Sequence, residues 1–403
     1  MKLIVMKFGG TSVGDLKKIS NVADIVKKNL KGSKLIVVLS AMAGETNKMQ
    51  NYLDTIKSEE KIENDLVLTA GENVTIGILS AILRKRKINS LPLLGWQIPI
   101  LTDNNHENAK ILNIDKKRIN KFLKKYDVLV IAGFQGISLD GHITSLGRGG
   151  SDTTAVAIAS AINADRCDIY TDVDGVYSTD PNVVSNAKKI SKLAFEEMLE
   201  MASTGAKVLH TRSVELAMKN NLVLQVLSSI TKKKGTLIVD DKKLIEKEIV
   251  SGLSYTKNDS MITISGIQDK PGISARIFGL LASENINVDM IVQNISQDGL
   301  SANITFTVPN RDINSVKSIL NKNIKKINFR SLKTNNKISK ISVIGMGMMS
   351  QSGVAQKMFK TLANNNINIL AISTSEIKIS VLIDEKYTNV AIKSLHKSYN
   401  LKK

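Results

Sequence analysis

The sequence predicts an α/β protein in which a mainly parallel sheet is covered by helices on both faces and is followed by a smaller, duplicated unit. Three observations carry this expectation. Short apolar runs alternate with stretches of helical periodicity as far as Val239. Several of those runs end in glycine- and hydroxyl-rich segments. Beyond a charged stretch, Asp240 to Glu248, the chain repeats itself at a constant offset of 81 positions.

Leu3 to Met6 reads as a short buried strand, followed by Phe8-Gly9-Gly10-Thr11-Ser12-Val13-Gly14. Ile19, Val22, Ala23, Val26 and Leu30 then recur at helical spacing. Lys34 to Ser40 is a second strand ending at Ala41-Met42-Ala43-Gly44, Val128 to Gly133 a third and Cys167 to Thr171 a fourth. Helical stretches lie between, notably Leu66 to Leu83 and Phe195 to Lys219, the latter with a break at Gly205-Ala206-Lys207. Uniformly apolar strands separated by helices belong to parallel sheets buried on both faces. Ligands of such sheets bind beyond the carboxyl ends of the strands, where the glycine-rich segments gather. This layer closes near Gly235 to Val239.

In the repeat, Gly272, Phe278, Leu281, Ala282, Asn285, Ile286 and Asn287 recur as Gly353, Phe359, Leu362, Ala363, Asn366, Ile367 and Asn368. Each copy reads strand, glycine loop, helix, strand, strand. Asn303 to Val308 corresponds to Lys378 to Ile383 only 75 positions on, so the second copy has a shorter connection. Ile249 to Tyr255 is strand-like without a partner in the first copy and is expected to pair with the second.

Composition narrows the function. The 403 residues, 42% of them hydrophobic, suffice for two or three domains. No apolar run reaches the roughly 18–20 residues of a membrane span, and Met1 to Met6 is too short for a signal peptide, so a cytoplasmic protein is expected. Cys167 is the single cysteine, which leaves no intrachain disulfide and no cysteine-based zinc site, and the four histidines lack metal-ligand spacing. The formal charge of +19 raises nucleic-acid binding, but only nine of the 56 basic residues are arginine, the lysines are dispersed and aromatics are 4%.

The densest motif is Gly147-Arg148-Gly149-Gly150-Ser151-Asp152-Thr153-Thr154, directly before an apolar helical run. Glycines let backbone amides approach an anion, a helix N-terminus supplies unpaired N–H groups, and arginine grips a carboxylate or phosphate in two parallel bonds. Lys7-Phe8-Gly9-Gly10 places a lysine where it could reach terminal phosphates; Asp15 and Leu16 occupy the Lys-Ser/Thr positions of a P-loop, so this is not one. Tyr170 to Pro181 is either a double turn or a nucleotide contact in which Asp172 and Asp174 orient ligand groups and Tyr177 faces an adenosine. Lys207 either carries charge to a phosphoryl group or is solvated. Glu72 either is a solvated helix position or receives an ammonium, and with Arg148 it describes an amino-acid site. Gly345-Met346-Gly347-Met348-Met349-Ser350 approaches a dinucleotide fingerprint but has serine for the third glycine, and it belongs to the repeat.

Lys7 to Val13, Leu146 to Ala155, and Thr171 to Tyr177 with Asp180-Pro181 resemble the aspartokinase family over essentially the whole chain, and the layout is closest to its monofunctional, lysine-biosynthetic type. The resemblance implies an amino-acid-kinase-type three-layer α/β/α catalytic domain over 1–245. It implies two ACT modules, ligand-sensing βαββαβ (ferredoxin-like) units, over 258–333 and 336–403, with strand 249–255 completing the second. It implies ATP contacts from Lys7, Phe8, Gly9, Gly10, Thr171, Asp172, Tyr177, Asn182, Lys207 and Val208, with Lys7, Lys207 and Asp172 catalytic. Asn182 stands where many relatives have arginine. Aspartate contacts map to Thr46, Glu72, Arg148, Gly149, Gly150 and Ser151. Effector contacts map to Asp269, Asn287, Val288, Asp289, Gln293, Val354, Ala355, Asn368, Ile369, Ser375 and Glu376, where Ala355 replaces a threonine of some relatives.

The expected reaction is transfer of the γ-phosphoryl group of Mg²⁺-bound ATP to the side-chain carboxylate of L-aspartate, the first step toward lysine, threonine and methionine. Lysine, threonine or both would inhibit through the modules of a homodimer or higher oligomer, and no dedicated protein metal site, nucleic acid or membrane is expected. The alternatives are another amino-acid kinase, acting on glutamate, acetylglutamate or a nucleotide monophosphate, and a non-catalytic amino-acid sensor. Glu72 with Arg148 and the C-terminal repeat favour aspartate; Lys7, Asp172 and Arg148 argue against a sensor.

Overall fold

The computed structural model describes residues 1–205, 208–231, 233–244, 248–295 and 301–402. These form two compact units. The first contains Met1–Val176 and Lys189–Ala202; the second takes Tyr177–Lys188 together with the C-terminal repeat.

In the first unit, eight strands lie in the order Lys192–Ala194, Thr236–Val239, Leu224–Ser228, Arg166–Thr171, Lys2–Phe8, Ser33–Leu39, Val128–Ala132 and Ser90–Leu93. Neighbours are parallel except Leu224–Ser228 with Thr236–Val239. Val128–Ala132 is buried throughout, as a central parallel strand covered on both faces must be. The helix Leu16–Asn29 starts where the Asp15 side chain accepts the Lys18 N–H and buries Ile19, Val22, Ala23 and Val26 on one stripe. The expected helix Leu66 to Leu83 is instead two, Lys61–Leu68 and Ala70–Lys85, joined at Thr69. Taken together, Lys61–Lys85 is long and apolar enough for a membrane span (mean hydropathy 1.7), which a count of uninterrupted apolar residues overlooks; half of its most apolar stretch is buried inside the protein. A second sheet of Ile111–Ile114, Ile100–Thr102, Gln135–Ser138 and Ile143–Ser145 is absent from the sequence reading, because strands of three or four residues show too little periodicity.

The second unit contains two four-stranded antiparallel sheets. One is ordered Ile291–Ile295, Ser301–Pro309, Asp259–Gln268, Ser331–Asn335; the other Gly252–Thr256, Ile338–Ile344, Lys378–Asp384, Ala371–Thr374. Gly252–Thr256 runs antiparallel to Ile338–Ile344, with Leu253 opposite Val343. The chain therefore lays an outer strand of the second sheet before it builds the first. Helices Ile273–Ala282 and Ile313–Lys322 cover Ile262, Ile264, Ile304 and Phe306; Val354–Ala363 and Thr388–Ser398 cover Ile341, Val343, Val381 and Ile383.

The repeated residues have identifiable work. Gly272 and Gly353 cap the N-termini of equivalent helices in left-handed conformations (φ 89° and 94°). Asn285 and Asn366 end those helices with φ 55° and 54°, and the following Ile286 and Ile367 N–H groups donate to Leu281 and Leu362. Gly345 and Gly347 serve close approach: a Cβ at Gly345 would stand 2.2 Å from the Ile249 carbonyl oxygen and one at Gly347 2.6 Å from the Ile249 Cα. Gly345 precedes and Gly347 lies within the 3-10 turn Met346–Ser350, which is not a regular helix. Between the sheets, buried Lys340 pairs with Asp259 at 3.4 Å and with Asp289.

Phe306 is fully buried and meets Phe278 edge-to-face at 5.5 Å. Phe306→Ala should lower the stability of this module by about 3–5 kcal/mol. Urea denaturation followed by circular dichroism checks this: a transition displaced to lower urea is expected, and an unmoved curve would count against the core as described.

Candidate active site

The strand ends converge on a cavity of about 540 Å³ lined by Lys7 and Gly10 from the first strand–helix junction, Ser40 to Gly44 from the second, Phe134, and Gly147 to Asp152. The helix Gly150–Ala161 begins at its rim and is buried over most of its length. It lies close because two glycines leave room: a Cβ on Gly133 would meet Ser151 at 2.8 Å and one on Gly150 would meet Phe134 at 2.7 Å. Thr154 Oγ1 accepts the Phe134 N–H at 3.1 Å, tying the first turn to the end of strand Val128–Ala132. Lys7 Nζ pairs with Asp152 Oδ1 at 2.6 Å, both side chains 13% exposed. Asp152 also lies in the helix's first turn, where a negative charge is favoured.

Glu72 is the most unusual ionisable group in the cavity. It is 3% exposed, in the first turn of Ala70–Lys85. Its Oε1 accepts the Ala41 N–H at 3.0 Å, while Oε2 is buried without a hydrogen-bond partner. Desolvation pushes its carboxyl up to about 7, against the lowering effect of the backbone bonds. The helix is held to the strand end by Thr75, whose hydroxyl donates to the Ser40 carbonyl at 2.9 Å. A buried carboxylate with one oxygen unmatched is a receptor for a cationic donor.

Thr46, Glu72, Arg148, Gly149, Gly150 and Ser151 all line this one cavity, with Lys7 and Gly10. Arg148 is exposed and Ser151 buried. The Phe8 ring is fully buried, stacked on Tyr170 at 4.5 Å, so only its main chain could meet a nucleotide; a large apolar side chain ending a central strand is a core residue. The Gly9 N–H bonds the Tyr170 carbonyl at 3.4 Å. Thr171 ends the adjacent strand, Asp172 follows it, and neither lines the cavity; the Thr171 hydroxyl donates to the Asp172 carboxylate at 2.9 Å. Asp174 pairs with Lys189 at 3.3 Å and Lys233 at 3.9 Å. Val208 is half-buried. Tyr177 and Asn182 belong to the second unit, and Lys207 lies outside the described residues. Asp152, Phe134, Ser40 and Glu107 line the cavity without having been assigned from sequence. Asp152 was legible inside the glycine-rich motif; the others depend on which strand ends are neighbours.

In the second unit, Asp269 and Gln293 line a cavity of about 380 Å³ with Lys270 to Ser274, and the Ser274 hydroxyl donates to Gln293 Oε1 at 3.3 Å. Val288, Val354, Ala355 and Ile369 pack against module cores, and the Val354 carbonyl accepts from the Tyr399 hydroxyl at 2.7 Å. Asn287, Asn368, Ser375 and Glu376 are exposed. Asp289 is engaged by Lys340. Among the described residues no group of three or more His, Cys, Asp or Glu is placed to hold a metal ion.

The amino acid kinase family model matches residues 2–228, and an ACT domain model matches 262–324 and 341–399. Aspartate kinase of Pseudomonas fluorescens SBW25 is 48% identical over 406 residues, spanning 100% of this chain and 98% of the relative. Aspartokinase of Helicobacter pylori J99 is 46% identical, with 99% of each covered. The crystal structure of E. coli aspartokinase III in complex with aspartate and ADP superposes with a TM-score of 0.81 at 26% identity, over 98% of this chain and 99% of that one. On the extent of these matches and on its two-part architecture, the chain belongs to the aspartate kinase family.

Proposed function

We propose that aspartate occupies the 540 Å³ cavity with its α-carboxylate on Arg148 and its ammonium on Glu72, leaving the β-carboxylate toward Lys7. The observation that carries this is the buried, half-paired Glu72 in the same cavity as an exposed arginine framed by glycines. The β-carboxylate is already ionised at neutral pH, with a reference pKa near 3.9, so transfer needs no general base. Catalysis reduces to alignment and neutralisation of the moving phosphoryl group. In this reading Lys7 exchanges its contact with Asp152 for phosphate oxygens, the N–H groups opening helix Gly150–Ala161 receive negative charge, and Lys207, assigned by the family resemblance alone, adds positive charge for the moving group. Thr171, Asp172 and Val208 of the first unit are assigned to the nucleotide. Mg²⁺ would come with the nucleotide, with the exposed Asp172 carboxylate as the protein group placed to hold it, and would supply positive charge to the phosphates. The cytoplasm is the compartment this reading assigns.

Regulation is the second half of the proposal. E. coli aspartokinase III has been crystallised with lysine and aspartate, and that structure resembles this chain with a TM-score of 0.77 at 26% identity, over 99% of this chain and 100% of that one. We assign lysine, threonine or both to loops such as Lys270 to Ser274, between facing modules of a homodimer, with a coupling energy of about 1–3 kcal/mol.

A coupled assay of ATP consumption with aspartate tests the catalytic reading directly. Lys7→Met should lower kcat by roughly 10²–10⁴ with the fold intact, and a folded variant that keeps most of its kcat would remove Lys7 from the mechanism.

Glu72 predicts a pH dependence. Its carboxyl sits at about 7 when folded against 4.5 as the ordinary value, so its stabilising protonation is fully present below 4.5 and lost as pH rises through 7. The substrate-free protein should thus lose up to about 3 kcal/mol between pH 4.5 and 8 relative to Glu72→Gln, while kcat/KM for aspartate in the wild type rises through pH 7. Parallel denaturation curves for the two proteins at both pH values would refute this assignment.

Gln293→Ala or Glu376→Ala should weaken inhibition by lysine or threonine while leaving uninhibited kcat nearly unchanged. Absence of inhibition of the wild type by either amino acid, alone or combined at millimolar concentration, would reduce the modules to a dimerisation device.

A further inference from the structure

Arg148 sits between Gly147 and Gly149, both in left-handed conformations (φ 71° and 72°), and its side chain is exposed. Two glycines around a long side chain give a loop with much freedom to lose on binding a ligand. The structure supplies braces on both sides. The Arg212 guanidinium donates to the Leu146 carbonyl at 2.8 Å and, through its other terminal nitrogen, to the Ala109 carbonyl at 2.7 Å. Leu146 precedes Gly147, and Ala109 follows Asn108, whose Oδ1 would be 2.7 Å from a Cβ on Gly147. The Ala109 N–H in turn bonds the Ser145 carbonyl at 2.9 Å. On the other side the His210 ring lies flush against Gly149: a Cβ there would be 2.4 Å from the imidazole Cγ. Arg212 and His210 both stand at the start of helix Thr211–Lys219, so one helix end grips the loop before and after Arg148.

We propose that Arg212 and His210 are positioning residues for Arg148, holding the backbone of residues 146–149 so that the guanidinium is in place before the amino-acid carboxylate arrives. Neither lines the cavity. The fork of Arg212 is the essential feature, because its two terminal nitrogens are held in a fixed plane against the two carbonyls, which an ammonium on a flexible stem does not reproduce. Misplacement of a binding group by about 1 Å is enough to cost up to 10²-fold. This inference rests on the reading of Arg148 as the carboxylate receptor.

The test uses the full-length enzyme and initial rates with both substrates varied, in wild type, Arg212→Met, Arg212→Lys, Arg148→Lys and the double variant Arg148→Lys/Arg212→Met. Arg212→Met should raise KM for aspartate about tenfold or more and leave KM for ATP within about twofold, and Arg212→Lys should recover little. In the Arg148→Lys background, Arg212→Met should add less than about a further twofold, since its effect passes through Arg148. Equal changes in both KM values, or a full multiplicative effect in the double variant, would show that Arg212 supports the fold only. If Arg212→Met does not fold, His210→Ala carries the same test, with a several-fold rise in aspartate KM that disappears in the Arg148→Lys background. Should Arg148→Lys itself leave aspartate KM unaltered, the reading of Arg148 falls and the positioning role with it; should Arg148→Lys raise it and Arg212→Met not, only the positioning role falls.

Discussion

The N-terminus of helix Gly150–Ala161 can reach the ends of strands Ser33–Leu39 and Val128–Ala132 only because Gly133 and Gly150 carry no side chains, and most of the candidate site follows from that approach. A methyl group at either position would meet Ser151 or Phe134 at less than 3 Å and push the helix away from the sheet. With the helix in place, Asp152 comes within 2.6 Å of Lys7, which projects from the end of strand Lys2–Phe8. The unpaired N–H groups of the first turn then face the same space as the Lys7 ammonium. That space therefore offers an anion both a helix end and a cation, the latter held by Asp152 in the absence of ligand.

Glu72 shows what such a site costs in the absence of ligand. Its carboxylate accepts one backbone N–H and leaves its other oxygen buried and unmatched. Burial raises the energy of the charged form, and the group compensates by holding its proton near neutrality. A stability optimum would place an amide or an apolar residue there. The retained carboxylate makes sense as a group whose missing partner is a bound ammonium. The Lys7–Asp152 pair resolves the same problem differently: the two ions satisfy each other.

The second unit is organised by local backbone requirements that the sequence repeats. Gly272 and Gly353 start equivalent helices, and Asn285 and Asn366 end them, each in a left-handed conformation that glycine or asparagine adopts most readily. The two sheets are not independent, because Lys340 from one is buried against Asp259 and Asp289 of the other. Asp289 belongs to the segment assigned to effector contacts.

The sequence by itself determined the elements whose signal is local. Continuous apolar strands, the helix stripe of Ile19, Val22, Ala23 and Val26, the 81-residue repeat and the glycine-rich anion loops are set by periodicity and by backbone conformations few residues tolerate. The family's motifs lie in the glycine-rich segments, so Lys7 and Arg148 stand out in the sequence before their convergence with Glu72 on one cavity is visible. Tertiary structure alone decided what depends on neighbours distant in the chain. The small second sheet, the core role of the Phe8 ring and the bracing of Leu146 by Arg212 leave no local trace, because each arises from surfaces brought together by folding and not from the periodicity of a single segment.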